Sequence, residues 1–382
     1  MSSQLGAISS VNNLIGRIFK QPRGDFVERL NSLYTVCVLS ISAGLLLTSA
    51  FWGDPITCWI PAEFPKIWSD FVNQFCYAQG TYFYNIEGEL TFDKEERQKY
   101  FIRYYQWIPY VIALQAFLYF IPRFLMRIVC AWSGYDVPTT IQYIDDLWHQ
   151  IKSSNFPNRL DTFENVGAVY IWDGLKLFHK RQRGGLTFYY VMYTIIQCVN
   201  AWLQFLFMNQ LIASSNDSVS GLTVINDLIT GADWEETGHF PRITHCDFKR
   251  RKTSAIQMDT VLCVLNLNIY YEKVLVFLWF WMFFVAVVST LHCVYWLALS
   301  ICLNSYIRQQ LHHKLAIHSK SANLNKFFNV LGNDGIFILH QVGVNIGELP
   351  ASYLAQAMFN VADELDNRGE TASLLEKGMK TA

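Results

Sequence analysis

Charge is the first thing this chain has little of. Charged residues make up 16% of its 382 positions, and the net charge is −1. A net charge so near zero gives no overall basic character, and no nucleic-acid partner is expected. Catalytic signatures are missing too. There is no phosphate-binding P-loop, no G-x-S-x-G and no kinase signature. None of the nine histidines stands in an H-E-x-x-H arrangement. Neither enzyme activity nor a cofactor or metal is therefore expected, and His239 and His245 read as loop-packing residues. No internal repeat is visible, which argues against a transporter built from paired halves. Because Met1–Arg29 is polar and charged, no cleavable signal is expected. The first apolar stretch should instead remain as a signal anchor.

What is present in quantity is apolar surface. Hydrophobic residues reach 52% and aromatic residues 16%. Four long apolar stretches stand out, at Leu33–Trp52, Trp107–Val129, Thr187–Met208 and Val274–Leu303. Each reaches the roughly 20 residues that a helix needs to cross a hydrocarbon core about 30 Å thick. Only a helix lets such a segment satisfy its own backbone in lipid. The lipid bilayer is thus the first partner implied. Within these stretches ionisable side chains are nearly absent, His292 being the main exception. A pump or proton-coupled transporter needs buried charge as a relay, so a passive conduit or a structural protein is the better expectation.

Basic residues set the orientation. Arg17, Lys20, Arg23 and Arg29 flank the first stretch, and Arg123 and Arg127 close the second. Lys180, Arg181 and Arg183 precede the third, and Arg308 and Lys314 follow the fourth. The positive-inside tendency then places both termini in the cytosol, although Arg97, Lys99, Arg103 and the Lys249–Lys252 run lie on the opposite side. On that opposite side each long loop carries two cysteines: Cys58 and Cys76 in the first, Cys246 and Cys263 in the second. Even pairs facing an oxidising space read as disulfides. The spacings C-x17-C and C-x16-C do not match zinc clusters. Spacing leaves all three connectivities of four cysteines open. Asn216-Asp217-Ser218 is a glycosylation candidate in the same compartment.

The expected fold is an all-α membrane protein. It is a four-transmembrane-helix bundle with a disulfide-linked extracellular loop cap and a helical cytosolic domain. The expected organisation is an N-terminal segment 1–29, spans at 30–52, 107–130, 186–208 and 274–303, outer loops 53–106 and 209–273, an inner loop 131–185, a cytosolic helical region 304–366 and a disordered tail 367–382. The outer loops are too long for simple connectors and should fold. The inner loop should hold a helix near Thr140–Lys152, and Pro350 should open another that contains Leu354, Met358 and Val361. Pro122 should kink the second span or end its regular ladder. Gln197, Asn200 and Gln204 share one face of the third span. Their expected role is hydrogen bonding between helices rather than a wet pore wall. Ser40, Ser42, Gly44, Thr48 and Ser49 in the first span read chiefly as close-packing residues. At the N-terminus Leu5, Ile8, Val11, Ile15 and Ile18 recur at helical spacing. Residue pattern alone favours a helix lying on the membrane surface there.

The junction into the second span reads Tyr104-Tyr105-Gln106-Trp107-Ile108-Pro109. It resembles the YYQW signature of innexins, the invertebrate gap-junction family, with Ile108 where Val is usual. Asp54-Pro-Ile-Thr-Cys58-Trp59 is similar to the family's first outer loop, and Gly238-His-Phe-Pro-Arg-Ile-Thr-His-Cys246 to its second. Val261–Lys273 followed by Phe277–Trp281 is similar to the approach to its fourth span. Connexins share the topology but carry three cysteines in each outer loop. The resemblance runs from Met1 to about Phe359.

That resemblance implies a subunit of a large-pore channel formed by an octameric homo-oligomer, the hemichannel. Two hemichannels on adjacent cells dock head to head and pass ions and small metabolites, with other innexins as further partners. It implies a multi-pass plasma-membrane location at gap junctions. It also implies disulfides Cys58–Cys263 and Cys76–Cys246. The N-terminal helix would line a pore funnel, reversing the surface-helix expectation, with Ser2, Ser3, Gln4, Asn12 and Asn13 as pore-lining candidates. A non-docking hemichannel that releases small molecules is the alternative, motivated by Asn216, since a glycan there could obstruct docking. A non-channel junction or adhesion protein ranks below both.

Overall fold

A computed structural model describes residues 24–61, 65–84, 101–179, 185–213, 221–230, 240–251, 253–315 and 321–367. Among them, four helices are long and apolar enough to cross a membrane: Phe26–Trp52, Ile108–Cys130, Gly185–Ile212 and Asn266–Ser300. The expectation of four spans is met. The helices that carry them are α1 (Phe26–Trp52), α3 (Ile108–Ser133), α7 (Gly185–Ala213) and α9 (Asn266–Leu315). Each outlasts its apolar stretch, because a helix stops where its backbone finds other partners rather than where hydropathy falls. α1, for instance, begins at Phe26, inside the segment 1–29. α3 continues through Pro122. The chain divides into two compact units. One comprises Leu30–Ile121 and Cys198–Ser289, the other Met1–Arg29, Pro122–Gln197 and Thr290–Ala382.

The first unit contains an element that the apolar pattern did not disclose, a five-stranded antiparallel sheet in the order β1-β5-β4-β2-β3. Its strands are β1 (Thr57–Cys58), β2 (Thr81–Tyr82), β3 (Phe101–Ile102), β4 (Ile243–Arg251) and β5 (Ile256–Val264). The two nine-residue strands form a hairpin in the second long loop, and the first loop adds short strands at both edges. Helix α2 (Lys66–Gln79) packs against β1 and β4, and a further helix, α8 (Gly221–Thr230), lies in the second long loop. Val72 and Cys76, four residues apart on its inner face, are buried. Gly80 ends α2 with φ 98°, a conformation that favours glycine. A Cβ there would lie 2.6 Å from the Phe101 ring.

Within the same unit α1 is wound as a π-helix over Leu30–Thr35. The Thr35 hydroxyl donates to the Leu30 carbonyl at 2.8 Å, and Trp281 Nε1 donates to Thr35 Oγ1 at 3.2 Å. Asn31 Nδ2 donates to Ser289 Oγ at 2.8 Å, a polar tie between spans one and four. Such ties help hold helices together in lipid, where the hydrophobic effect gives no driving force between them.

The second unit is helical. It contains α4 (Val137–Ile151), α5 (Phe156–Thr162), α6 (Val169–His179), α10 (Ser321–Asn345) and α11 (Glu348–Asn367). A π-helical turn, Phe163–Ala168, joins α5 to α6. The helices expected near Thr140–Lys152 and at Pro350 are therefore present as α4 and α11. Asn367, assigned to the tail, closes α11, and the rest of the tail lies outside the described residues. Gly332, with φ 66°, interrupts α10. The core is rich in large side chains, among them Phe163, Trp172, Tyr190, Trp296, Phe328 and Phe337. Trp296 is the largest of the fully buried ones. Its ring meets those of Tyr190 and Phe337 edge-on, with centroids 4.7 and 5.5 Å apart.

Candidate functional site: the disulfide-closed cap and the polar residues of the spans

Two disulfides close the cap, Cys58–Cys263 and Cys76–Cys246, which are the pairings that the family resemblance implies. Each joins the first long loop to the second, across 205 and 170 residues of sequence. The sheet itself brings the first pair together, because Cys58 on β1 lies directly opposite Cys263 on β5. The second pair joins the buried face of α2 to β4. The sulfurs of Cys58, Cys76 and Cys263 all lie within 4.8 Å of one another. The two loops therefore share one covalently closed core, buried with Val72, Phe248 and Val261. His245 is buried in β4 and stacks on the Tyr82 ring, as expected of a packing residue. His239 lies outside the described residues.

Tyr104, Tyr105 and Gln106 form a 3₁₀ turn that leads into span two. Tyr105 Oη donates to the Tyr77 carbonyl at 3.2 Å. Gln106 Nε2 donates to the Tyr77 carbonyl and to that of Ala78, the latter at 3.2 Å. These are last-turn carbonyls of α2, which have no partner within their own helix. Tyr271 Oη in turn donates to the Tyr105 carbonyl at 2.8 Å. The signature thus caps α2 and ties the cap to the second and fourth spans. Burial pushes the Tyr104 and Tyr105 hydroxyls well above the ordinary phenol range, so both stay protonated and able to donate. Trp107 is exposed, as befits an aromatic residue at a lipid–water boundary.

Beyond this region the hairpin carries its own polar ladder. Arg250 Nε lies 3.0 Å from Asp259 Oδ2, and Arg250 Nη2 donates to Gln257 Oε1 at 3.1 Å. Thr260 Oγ1 and Tyr82 Oη both donate to Asp247 Oδ1, at 2.7 and 2.9 Å. Ile256 and Met258 are exposed apolar residues on β5.

Of the polar residues of span three, Asn200 makes the expected side-chain tie to another helix, and Gln204 contributes its backbone carbonyl. Asn200 Nδ2 donates to the Leu118 carbonyl at 3.3 Å, and Gln115 Nε2 to the Gln204 carbonyl at 3.4 Å. Gln197 and Gln204 are buried. Span one differs from the close-packing expectation. Ser42 is buried, but Ser40, Gly44 and Thr48 are exposed at successive four-residue steps. A Cβ on Gly44 would meet nothing within 4 Å. Thr48 and Ser49 turn their hydroxyls back on the Gly44 and Leu45 carbonyls of their own helix, at 2.8 and 3.1 Å. Packing among the described residues therefore does not account for the Ser40–Gly44–Thr48 row.

The sequence reading missed one buried polar cluster, in the helical unit. The Asp25 carboxylate accepts from Tyr190 Oη at 2.6 Å and from Asn345 Nδ2 at 3.2 Å, and His292 Nε2 stands 3.3 Å from it. Trp296 Nε1 is 3.0 Å from the same His292 nitrogen. That atom can donate to Asp25 or accept from Trp296, but not both at once. Burial alone would raise the Asp25 pKa. The hydrogen bonds from His292, Tyr190 and Asn345, with the charge of His292, outweigh it and hold the carboxyl below its usual range. His292 was the one available signal, as the ionisable exception within the spans. Ser2, Ser3, Gln4, Asn12, Asn13 and Asn216 lie outside the described residues.

Four apolar spanning helices and a cap closed by disulfides between two loops define a multi-pass membrane protein of the four-span junctional type. Comparison with known proteins sharpens this. The innexin family model matches residues 24–362. Innexin-6 of Caenorhabditis elegans is 48% identical over 368 residues, 95% of this chain and 94% of that protein. Innexin unc-9 of the same organism is 31% identical over 88% of this chain and 91% of its own, and Innexin-12 is 29% identical over 92% of each. The chain belongs to the innexin family. It is a gap junction channel subunit of the plasma membrane.

Proposed function

We propose that this chain assembles into an octameric hemichannel whose cap docks with a second hemichannel on an adjacent cell, opening a wide path for ions and small metabolites. The observation that carries this reading is the clasp of both long loops into one sheet by Cys58–Cys263 and Cys76–Cys246. A docking face must hold its shape before it meets its partner, and cross-links between loops supply that preorganisation. In this reading the cap faces the oxidising exterior and both termini lie in the cytosol. The exposed part of the β4–β5 hairpin, with Ile256 and Met258, is available for docking. The Ser40–Gly44–Thr48 row of span one is a weakly polar strip suited to a pore wall, and Ser2, Ser3, Gln4, Asn12 and Asn13 would line the cytosolic funnel. Other innexins can take places in the same ring.

The test is dye and electrical coupling between paired cells that express only this chain. Coupling in pairs is the expected result. Current in single cells without coupling would favour the non-docking hemichannel. Surface protein that is silent in both formats would contradict a self-sufficient homomeric channel.

A further inference from the structure

The helical unit contains a cavity of about 360 Å³ that the channel reading does not use. Three spans contribute their ends to it. Glu28 comes from the first turn of span one, Arg123 and Arg127 from the last turns of span two, and Tyr193 from the early turns of span three. At 1.5 Å rise per residue, Arg123 and Tyr193 sit only roughly 10 Å inside the ends of their spans. That lies just inside the hydrocarbon edge, from where long arginine side chains reach the head groups. The rest of the wall comes from α4 and α10 and includes Val137 and Ile141 beside Asp136.

The wall carries both signs of charge. Arg123 and Arg127 supply the positive charge, and the negative charge is that of Asp136 at the start of α4, where Thr139 Oγ1 donates to its carboxylate. Two guanidinium groups and two carboxyls around one apolar cavity do not suit a polyanion. They suit a ligand that carries a phosphate and an ammonium together. Guanidinium groups match phosphate oxygens in geometry and charge, and pockets between spans that carry basic side chains are recognised lipid head-group sites. A cavity of this size sits at the low end of small-ligand pockets, so it fits a head group and glycerol rather than a whole lipid.

We propose that this cavity binds the zwitterionic head group of a membrane glycerophospholipid. Arg123 and Arg127 take the phosphodiester, Asp136 faces the ammonium, and Met126, Val137 and Ile141 receive the glycerol and the first acyl carbons.

The test uses the purified full chain in detergent micelles, with its Tm followed as a short-chain phosphatidylcholine is titrated in. The expected result is a saturable rise in Tm. Arg127 is exposed, so Arg127→Gln should fold normally; it should raise the half-saturating lipid concentration about tenfold, as loss of a charge-assisted hydrogen bond does. Met126→Trp, which fills the cavity, should abolish the rise. If that variant fails to elute as folded protein, Arg127→Gln decides alone. An equal rise in wild type and Arg127→Gln would mean annular lipid only and would overturn the site. So would no rise at all. Glycerophosphocholine, the same head group without acyl chains, should have no effect at matched concentration. An equal effect would replace the lipid with a soluble phosphodiester and overturn the membrane source.

Discussion

The two units are held together by opposite means. The sheet-bearing unit joins elements far apart in sequence with two covalent bonds, across 205 and 170 residues. The helical unit, among its described residues, relies on a large aromatic core and on hydrogen bonds converging on one buried carboxylate, Asp25. The difference follows from what each can bury. Three of the five cap strands are two residues long and offer little apolar area, so a thin core needs cross-links. The helical unit has a core to spend. There a satisfied polar group adds specificity more than bulk stability.

Reduction should break this comparison most visibly. Opening both disulfides, or making Cys58→Ser, should cost the cap about 2–5 kcal/mol per bond. Amide exchange should rise across β4 and β5 and stay unchanged in α11, and coupling should be lost at normal surface levels. Equal acceleration in α11 would show that the two units are not independent. The next largest effect belongs to Asp25→Asn, which weakens charge-assisted bonds to Tyr190 and His292 at a cost of about 1–3 kcal/mol. This change should speed exchange in the helical unit and be indifferent to reductant. Its pH dependence has a fixed sign. The folded carboxyl titrates below its unfolded value of 3.8. Its contribution is therefore present above that value and lost only as pH falls through the lower folded value. Mild acidification to pH 5.5 should leave the wild-type contribution intact, as a Tm series on wild type and Asp25→Asn would show. Smallest is Arg250→Ala. Its partner Asp259 is partly exposed, so thermal stability should move by less than about 1 kcal/mol. A large loss of coupling with unchanged Tm would assign the hairpin to docking rather than to folding.

Much of this architecture was legible in the residues, and for identifiable reasons. Long apolar runs have one solution in lipid, so Leu33–Trp52 and its three counterparts marked their helices directly. Paired cysteines in long loops marked disulfides, but their connectivity came only with the family resemblance, because spacing does not encode it. The sheet was not legible. β1, β2 and β3 are too short to carry a period, and β4 interrupts its alternation with consecutive buried Thr244, His245 and Cys246. The Asp25 cluster was hidden by distance. Its members stand 165, 267 and 320 residues from Asp25. Asp25 itself lies beyond the edge of the apolar run, whereas the helix begins at the very next residue. Of the third-span amides, Asn200 forms the expected tie to another helix, whereas Gln204 meets span two through its backbone carbonyl rather than its side chain.

The interloop pairing also sets a timetable for making the protein. Cys58 and Cys76 leave the ribosome 205 and 170 residues ahead of the partners they finally join. At about 5–20 residues per second, they wait roughly 10–40 s as thiols before those partners appear. The sulfurs of the finished cap are close enough that neighbours can trade partners, so an early Cys58–Cys76 bond is an available detour. The cap cannot close until the third span has been threaded and β5 has emerged. Its completion thus doubles as a checkpoint, reached only by chains that have already laid down most of their membrane helices.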